Sequence, residues 1–460
     1  MMMFSSLANV VKIPDLRRKI LITLGIIIVY RIGIYIPVPG VNVDVLKSAA
    51  STVAQSDSPF AKAFAMVDLF VGGALQQCSI FFLGVMPYIS ASIIFQLLTA
   101  VVPKLEELAK EGEAGRRRIR QYERYATVAI CLVQAYLMVR GFFYSPRLNL
   151  VPPEIQGFTF DVIAVMSIAA GSMLLMWLGE QIDEYGIGNG ISLIIMFGIV
   201  DRLIPSFHQI WESFSPSLAN PEPGKIGIGL LVILIVLFVG VVVGVILMTL
   251  AQRRVPVQQA KHMRGRRIFG GQRHYLPLRV NQAGVIPIIF ASALLQFLAM
   301  GGGFIAMIHP MLKPVGDIFA GARLTFFYNI FYVGMIFFFC YFYTAIIFNP
   351  IKMADEMKEY GSFVPGIRPG RKTSEYLEFI MTRITLAGAT FLALIAIFPN
   401  VIAGATPALR QKMITGFYGG TGVLIVVGVA LDLVQKIETQ LMMRNYEGFL
   451  AKGRIHGRRG

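Results

Sequence analysis

SIFFLGVMPYISASIIFQLLTAVV, residues 79–102, runs for 24 residues without a charge. At 1.5 Å per residue a helix of that length crosses a hydrocarbon core of about 30 Å. Yet Gly84 and Pro87 stand inside it, together with the polar residues Tyr88, Ser90, Ser92 and Gln96. Pro87 removes a backbone donor and loosens the preceding turn. In lipid such a defect survives only where protein or a water-filled cavity covers it. An anchoring helix needs no such defect, so the stretch reads as part of a wall around a polar route.

The chain around it has the composition of a polytopic membrane protein. Of 460 residues, 55% are hydrophobic and 15% charged, and the mean hydropathy is +0.66. The amino end, MMMFSSLANVVKIPDLRRK, is polar and basic, and the first long apolar run lacks a small-residue cleavage site, so no cleavable signal is expected. Ten apolar segments stand out, at roughly 20–36, 79–102, 125–143, 161–179, 187–204, 226–250, 284–308, 324–348, 384–399 and 414–434. An even number puts both termini on one side. The amino tail, the second–third, sixth–seventh and eighth–ninth connections and the carboxyl tail hold 31 of the 42 Lys and Arg, which makes that side cytoplasmic. The short fourth–fifth connection, Glu180 to Tyr185, carries no base and goes against the rule.

Five spans fall in each half, 1–205 and 206–435, before a basic tail at 436–460. An odd number per half orients the halves oppositely, as in an inverted repeat with a central site. Between the first two spans, FAKAFAMVDLFVGGAL (60–75) is too short to cross. Phe60, Phe64, Val67 and Val71 recur at helical spacing, and Gly72-Gly73 follows as a hinge. Periodicity alone reads this as an interfacial amphipathic helix.

Two basic loops stand apart. In the sixth–seventh loop (251–283), bases alternate with β-branched and aromatic residues around Gly265 and Gly270-Gly271, the pattern of a projecting hairpin. In the eighth–ninth loop (349–383), Pro365, Gly366, Pro369 and Gly370 bracket Arg368 on a stiff turn. A positive-inside charge run explains the bases but not a single Arg held between paired Pro-Gly turns, which points to contact with a partner. The net charge of +16 suits acidic lipid head groups, an acidic protein face or RNA.

No catalytic chemistry is legible. Walker, HExxH and GxSxG motifs are missing from the sequence, as is an Asp dyad in the spans. Cys78, Cys131 and Cys340 are isolated, with neither metal-ligand spacing nor a disulfide framework. Arg31 is the one charge well inside a span, and it reads as a snorkelling or helix-bonding residue.

Seven blocks carry a resemblance over nearly the whole chain: YRIGIYIPVPG (30–40), GVMPYISASIIFQLLT (84–99), EGEAGRRRIRQYERY (111–125), WLGEQIDEYGIGNGIS (177–192), LPLRVNQAGVIP (276–287), FNP (348–350) and GSFVPGIRPG (361–370). In this order they are similar to the SecY/Sec61-alpha family, the channel subunits of protein-translocation complexes. The resemblance implies an all-α fold with ten transmembrane helices in two inverted five-helix halves around a central pore. It implies a pore ring of Val85, Ile89, Ile191, Ile195, Ile289 and Ile425, and a plug at 60–75 that includes Phe64, Val67, Phe70, Gly72 and Gly73. A lateral gate between the second and seventh spans would carry Ser90, Ser92, Gln96, Ser292, Gln296 and Phe297. Arg266, Arg267 and Arg368 would meet the motor or ribosome. The implied partners are the small membrane subunits SecE and SecG, the motor ATPase SecA, the ribosome, signal-sequence-bearing polypeptides and anionic lipids, with no DNA, no cofactor and no metal. The location implied is the bacterial cytoplasmic membrane.

Two competing readings stay in view. A ten-span secondary transporter with broken helices would place Asp, Glu or His ligands near mid-membrane, whereas Asp161, Glu180, Asp201 and Asp432 fall at span ends. A scaffold without conduction would not need the Pro and Gly breaks.

Overall fold

The computed structural model describes residues 13–43, 45, 71–144, 150–212, 227–259, 262–264, 267–269, 273–295, 325–405 and 420–452. The chain divides into two compact units. One comprises Met1–Glu212, Gln411–Phe417 and Val429–Gly460; the other comprises Ser213–Arg410 and Tyr418–Gly428.

The first unit contains α1 (Pro14–Ile34), α2 (Met86–Val101), α3 (Pro103–Lys110), α4 (Glu113–Met138), α5 (Phe158–Tyr185) and α6 (Gly190–Glu212). Its stretch at 79–102 departs from the 24-residue span expected from sequence. Residues 71–85 run as successive turns, and the helix starts at Met86. Gly84 takes a left-handed φ of +57°, which ends any helix running into it. Pro87 then lies in the first turn of α2, where its missing N–H costs nothing. Pro87 therefore opens a helix where the sequence reading had it interrupt one. At Val102 the backbone turns extended, and α3 leaves α2 at 98°.

The turns at 71–85 are stitched to α1 and its exit. Ser79 Oγ donates to the Gly33 carbonyl at 2.9 Å, Ile80 N–H to Ile36 O at 2.9 Å, and Val38 N–H to Cys78 O at 2.7 Å. Buried peptide groups in an apolar setting need such partners. Around this stitch, α4 packs on α2 and α5, and α5 packs on α1 and α6. A π-helical turn, Val139–Phe143, closes α4.

The second unit contains α7 (Ile228–Leu250), the strands β1 (Gln252–Gln259), β2 (His262–Arg264), β3 (Arg267–Phe269) and β4 (Arg273–Arg279), then α8 (Ile286–Leu295), α9 (Thr325–Ile347), α10 (Pro350–Glu359), β5 (Ser362–Phe363) and α11 (Arg371–Ala405). Strands β1 and β4 pair antiparallel from Gln252↔Arg279 to Gln258↔Arg273. The basic loop is thus the hairpin its alternation indicates, and its shorter pair β2–β3 lies nearer the tip. A last helix, α12 (Gly420–Lys452), is divided between the units at Val429.

Each of the ten apolar segments holds a described helix, but several helices outrun the apolar stretch. Arg116–Arg124 in α4, Lys372 and Arg383 in α11, and Lys436 in α12 are helical although they read as loop. Hydropathy reports where lipid begins, and backbone hydrogen bonding continues past it. Among the described residues five helices are long and apolar enough to cross a membrane, and the bent pair α2–α3 would make a sixth.

Candidate functional site

In the first unit, Val85 is the residue that caps α2 and Ile89 lies in that helix's first turn. Ile191 and Ile195 occupy the opening turns of α6. Val85, Ile89 and Ile195 are buried and Ile191 is half-buried. In the second unit, Ile289 on α8 and Ile425 on α12 are buried as well. An apolar residue near a helix start sits beside amides that the helix itself leaves unpaired. This lets its height be set by the preceding turn.

The remaining predicted residues fall as follows. Phe64, Val67, Phe70, Arg266, Gln296 and Phe297 lie outside the described residues. Gly72 and Gly73 are buried and belong to the turns at 71–85, with left-handed φ angles of 66° and 92°. An added Cβ on Gly72 would come within 2.8 Å of Gly198 on α6 and 2.6 Å of the Tyr30 hydroxyl on α1. On α2, Gln96 Nε2 donates to Ser92 Oγ at 3.1 Å. On α8, Ser292 Oγ donates to Ile289 O at 2.8 Å. These bonds are made within each helix, which lowers the cost of polar groups in an apolar span.

Arg31 forms an ion pair with Asp201 of α6. Of the two readings its position left open, snorkelling and a helix–helix bond, the bond is the one formed, and Asp201 neutralises the charge. Sequence reasoning named the polar Tyr88 but did not assemble the charges around it. Tyr88, next to Ile89, lies within electrostatic reach of Glu123, Arg124, Glu180 and Asp183. Arg124 holds Glu180 bidentately, at 2.9 and 2.8 Å, across α4 and α5. The signal was present as opposite charges just beyond two apolar segments, but it becomes meaningful only once both helices extend past them.

The two basic loops are one structure. β5, from the loop that carries Arg368, pairs with β1 of the hairpin through Gln258↔Phe363 and Gln259↔Ser362, giving the order β4-β1-β5. Alternation puts Val255 and Leu278 on one face, where they cluster with Phe348, Val364, Leu377, Ile380, Met381 and Ile384. Arg368 is exposed, and its backbone carbonyl accepts the Thr373 hydroxyl at 3.0 Å. Arg267 stands opposite Arg264 in the β2–β3 register. The arrangement is a small basic platform with an apolar underside.

Apolar helices in this number, joined to a charged platform, define a multi-spanning helical membrane protein. The SecY family model matches residues 79–434, and the chain belongs to the SecY family. It is 44% identical over 462 residues to the protein translocase subunit SecY of Streptomyces scabiei, covering 97% of this chain and 100% of the relative. Two solved structures share the fold. One is a SecY channel described by its plug domain, which stabilises the closed state and maintains a membrane seal; it has a TM-score of 0.60, 17% identity and 92% coverage of each chain. The other is Sec61 in the canine ribosome-channel complex, with a TM-score of 0.56, 16% identity and 92% coverage of each chain.

Proposed function

We propose that this chain is the protein-conducting channel of the general secretory pathway. The observation that carries the reading is its match, over 97% of its length, to a protein translocase subunit. Val85, Ile89, Ile191, Ile195, Ile289 and Ile425 form the constriction. Apolar side chains exclude water and ions by dewetting and recognise no particular sequence, so any unfolded polypeptide can pass. The segment at 60–75 acts as the plug, a role supported by the related SecY channel, whose plug domain stabilises its closed state.

The spans at 79–102 and 284–308 part to release apolar helices into lipid. The protein sits in the bacterial inner membrane with ten spans in two inverted halves, both termini and the basic platform cytoplasmic. SecE and SecG flank the channel, and anionic lipids neutralise its basic side. Arg266, Arg267 and Arg368 meet SecA or the ribosome, whose faces are acidic or phosphate-rich. The neighbour solved with a ribosome supports the latter. The motor or ribosome supplies direction, and this subunit performs no catalysis.

The reading is tested with the combined variant Ile89→Gly, Ile191→Gly and Ile289→Gly. Removing three apolar side chains opens the seal, and closed channels in planar bilayers are expected to conduct ions. Unchanged closed conductance would remove the ring from the mechanism.

A further inference from the structure

The connection between α5 and α6, residues 186–189, is held far more tightly than a link between two helices requires. Asp183 Oδ1 of α5 accepts the Gly190 N–H at 2.8 Å. That amide belongs to the first turn of α6, which has no intrahelical acceptor and favours a negative charge. Asn189 Oδ1 accepts from Ser192 N–H at 2.9 Å and caps the same turn. A Cβ on Gly190 would collide with the Gly179 carbonyl of α5, and one on Gly179 would lie 2.5 Å from Ile191 Cδ1. The two backbones therefore touch, and the Ile191 side chain lies against the space that Gly179 leaves open. From α1, Thr23 Oγ1 accepts the Ile187 N–H at 3.2 Å. Leu16, Ile187 and Leu433 complete the clamp as an apolar cluster.

We infer that Asp183 is a positioning residue for the seal: with Gly179 it fixes the start of α6 and so the position of Ile191. The inference rests on the reading of Ile191 as part of the ring. Losing the Asp183 acceptor leaves the Gly190 amide without its partner, and the first turn of α6 can then shift or fray. Asp183→Asn keeps an oxygen in the same place and preserves the clamp. Gly179→Ala presses on Ile191 from the other side and perturbs its position without touching the hydrogen bond.

The experiment uses the full chain in vesicles with Cys78→Gly, Cys131→Ala, Cys340→Ala and Ile191→Cys, and a membrane-impermeant maleimide. Asp183→Leu is expected to change the labelling rate at position 191 roughly tenfold, as the loss of a charge-assisted hydrogen bond implies. Asp183→Asn should stay within about twofold of the parent. Ion leak through closed channels is measured separately with Ile191 in place and should rise in Asp183→Leu alone of the two. If Asp183→Leu fails to assemble, Gly179→Ala carries the test through ion leak measured with Ile191 in place, because its added methyl meets Ile191 Cδ1, an atom that Ile191→Cys removes. Equal labelling in the parent and Asp183→Leu, or unchanged leak in Gly179→Ala where Asp183→Leu does not assemble, overturns the inference. A labelling change without leak upholds the clamp and instead rejects the ring.

Discussion

Residues 71–85 in the first unit and the sheet β4-β1-β5 in the second both leave the helical pattern, and they differ in what holds them. The first stretch is fixed by close backbone approach. A Cβ on Gly171 of α5 would meet the Ile80 carbonyl, and one on Gly33 of α1 would meet the Phe81 ring. The platform is fixed by side-chain volume, with eight buried apolar residues on the underside of a sheet. In an apolar solvent no hydrophobic drive pushes helices together, so missing side chains let backbones approach. Where water meets the chain, burying apolar side chains is itself the driving force. The first region should therefore suffer most from atoms gained at its glycine contacts, and the second from atoms lost in its apolar cluster.

The largest effect on stability is expected at Gly171. Gly171→Val drives a branched side chain into the Ile80 carbonyl, a backbone atom that cannot rotate away. The cost should exceed about 3 kcal/mol, seen as loss of folded protein in detergent extracts by size exclusion and limited proteolysis. A well-folded Gly171→Val variant would break the comparison at its first term.

In the platform the same logic calls for deletion. Leu377 is 0% exposed and lies within the cluster formed by Val255, Leu278, Phe348 and Val364. Leu377→Ala should cost about 2–4 kcal/mol, the range for an aliphatic side chain removed from a close-packed core. Because β1, β4 and Val364, which follows β5, share that core, protease cleavage should rise in both loops together. Cleavage confined to one loop would show that the sheet does not couple them.

The contrast also explains what the sequence could disclose. The apolar segments announced the helices, and alternation in 252–279 announced the hairpin. Arg31 announced either snorkelling or a helix–helix bond, because a charge within a span must be paired or reach water, and only the fold selects the bond to Asp201. The turns at 79–85 were hidden because their residues are as apolar as a helix, and Gly84 and Pro87 are what mark the change of backbone there. The pairing of β5 with β1 joins residues about a hundred positions apart, and a two-residue strand leaves no periodicity to read. The clamp at Asp183 and Gly179 was equally hidden, since a glycine that allows close approach looks in sequence like any other.

A smaller effect is expected at the joint between α9 and the platform. The Asn349 side chain accepts from Ile351 N–H and Lys352 N–H, both at 3.1 Å, and Pro350 opens α10. The FNP block thus ends one helix and caps the next. Asn349→Ala should cost about 1 kcal/mol, whereas Asn349→Asp or Asn349→Ser, which also accept from these amides, should lose far less. Hydrogen exchange across 350–359 reads this directly. Equal exchange in the Ala and Ser variants would mean that packing under the helix, and not the cap, holds it in place.

The smallest stability effect and the sharpest functional one should coincide at Arg368. Its side chain is exposed, so reversing its charge should move stability by no more than about 0.5 kcal/mol. The turn keeps its shape without it: Thr373 Oγ1 binds the backbone carbonyl of residue 368, Val364 is anchored in the apolar cluster, and Gly366 and Gly370 hold positive φ angles of 84° and 94°. What Arg368→Glu changes is the charge presented to a partner, by two units at one fixed point. An acidic or phosphate-rich face that is drawn to the guanidinium would be repelled by the carboxylate. Motor-driven export into vesicles should fall at least about tenfold, the factor that loss of a single charge-assisted contact allows. Arg368→Lys should retain part of it, since the charge remains but the bidentate fork is lost. The Leu377→Ala variant serves as the contrast, losing stability and export together because it loosens the base on which Arg368 stands. Normal export by Arg368→Glu would make the Pro-Gly turn a solvated connection and leave the platform without a functional tip.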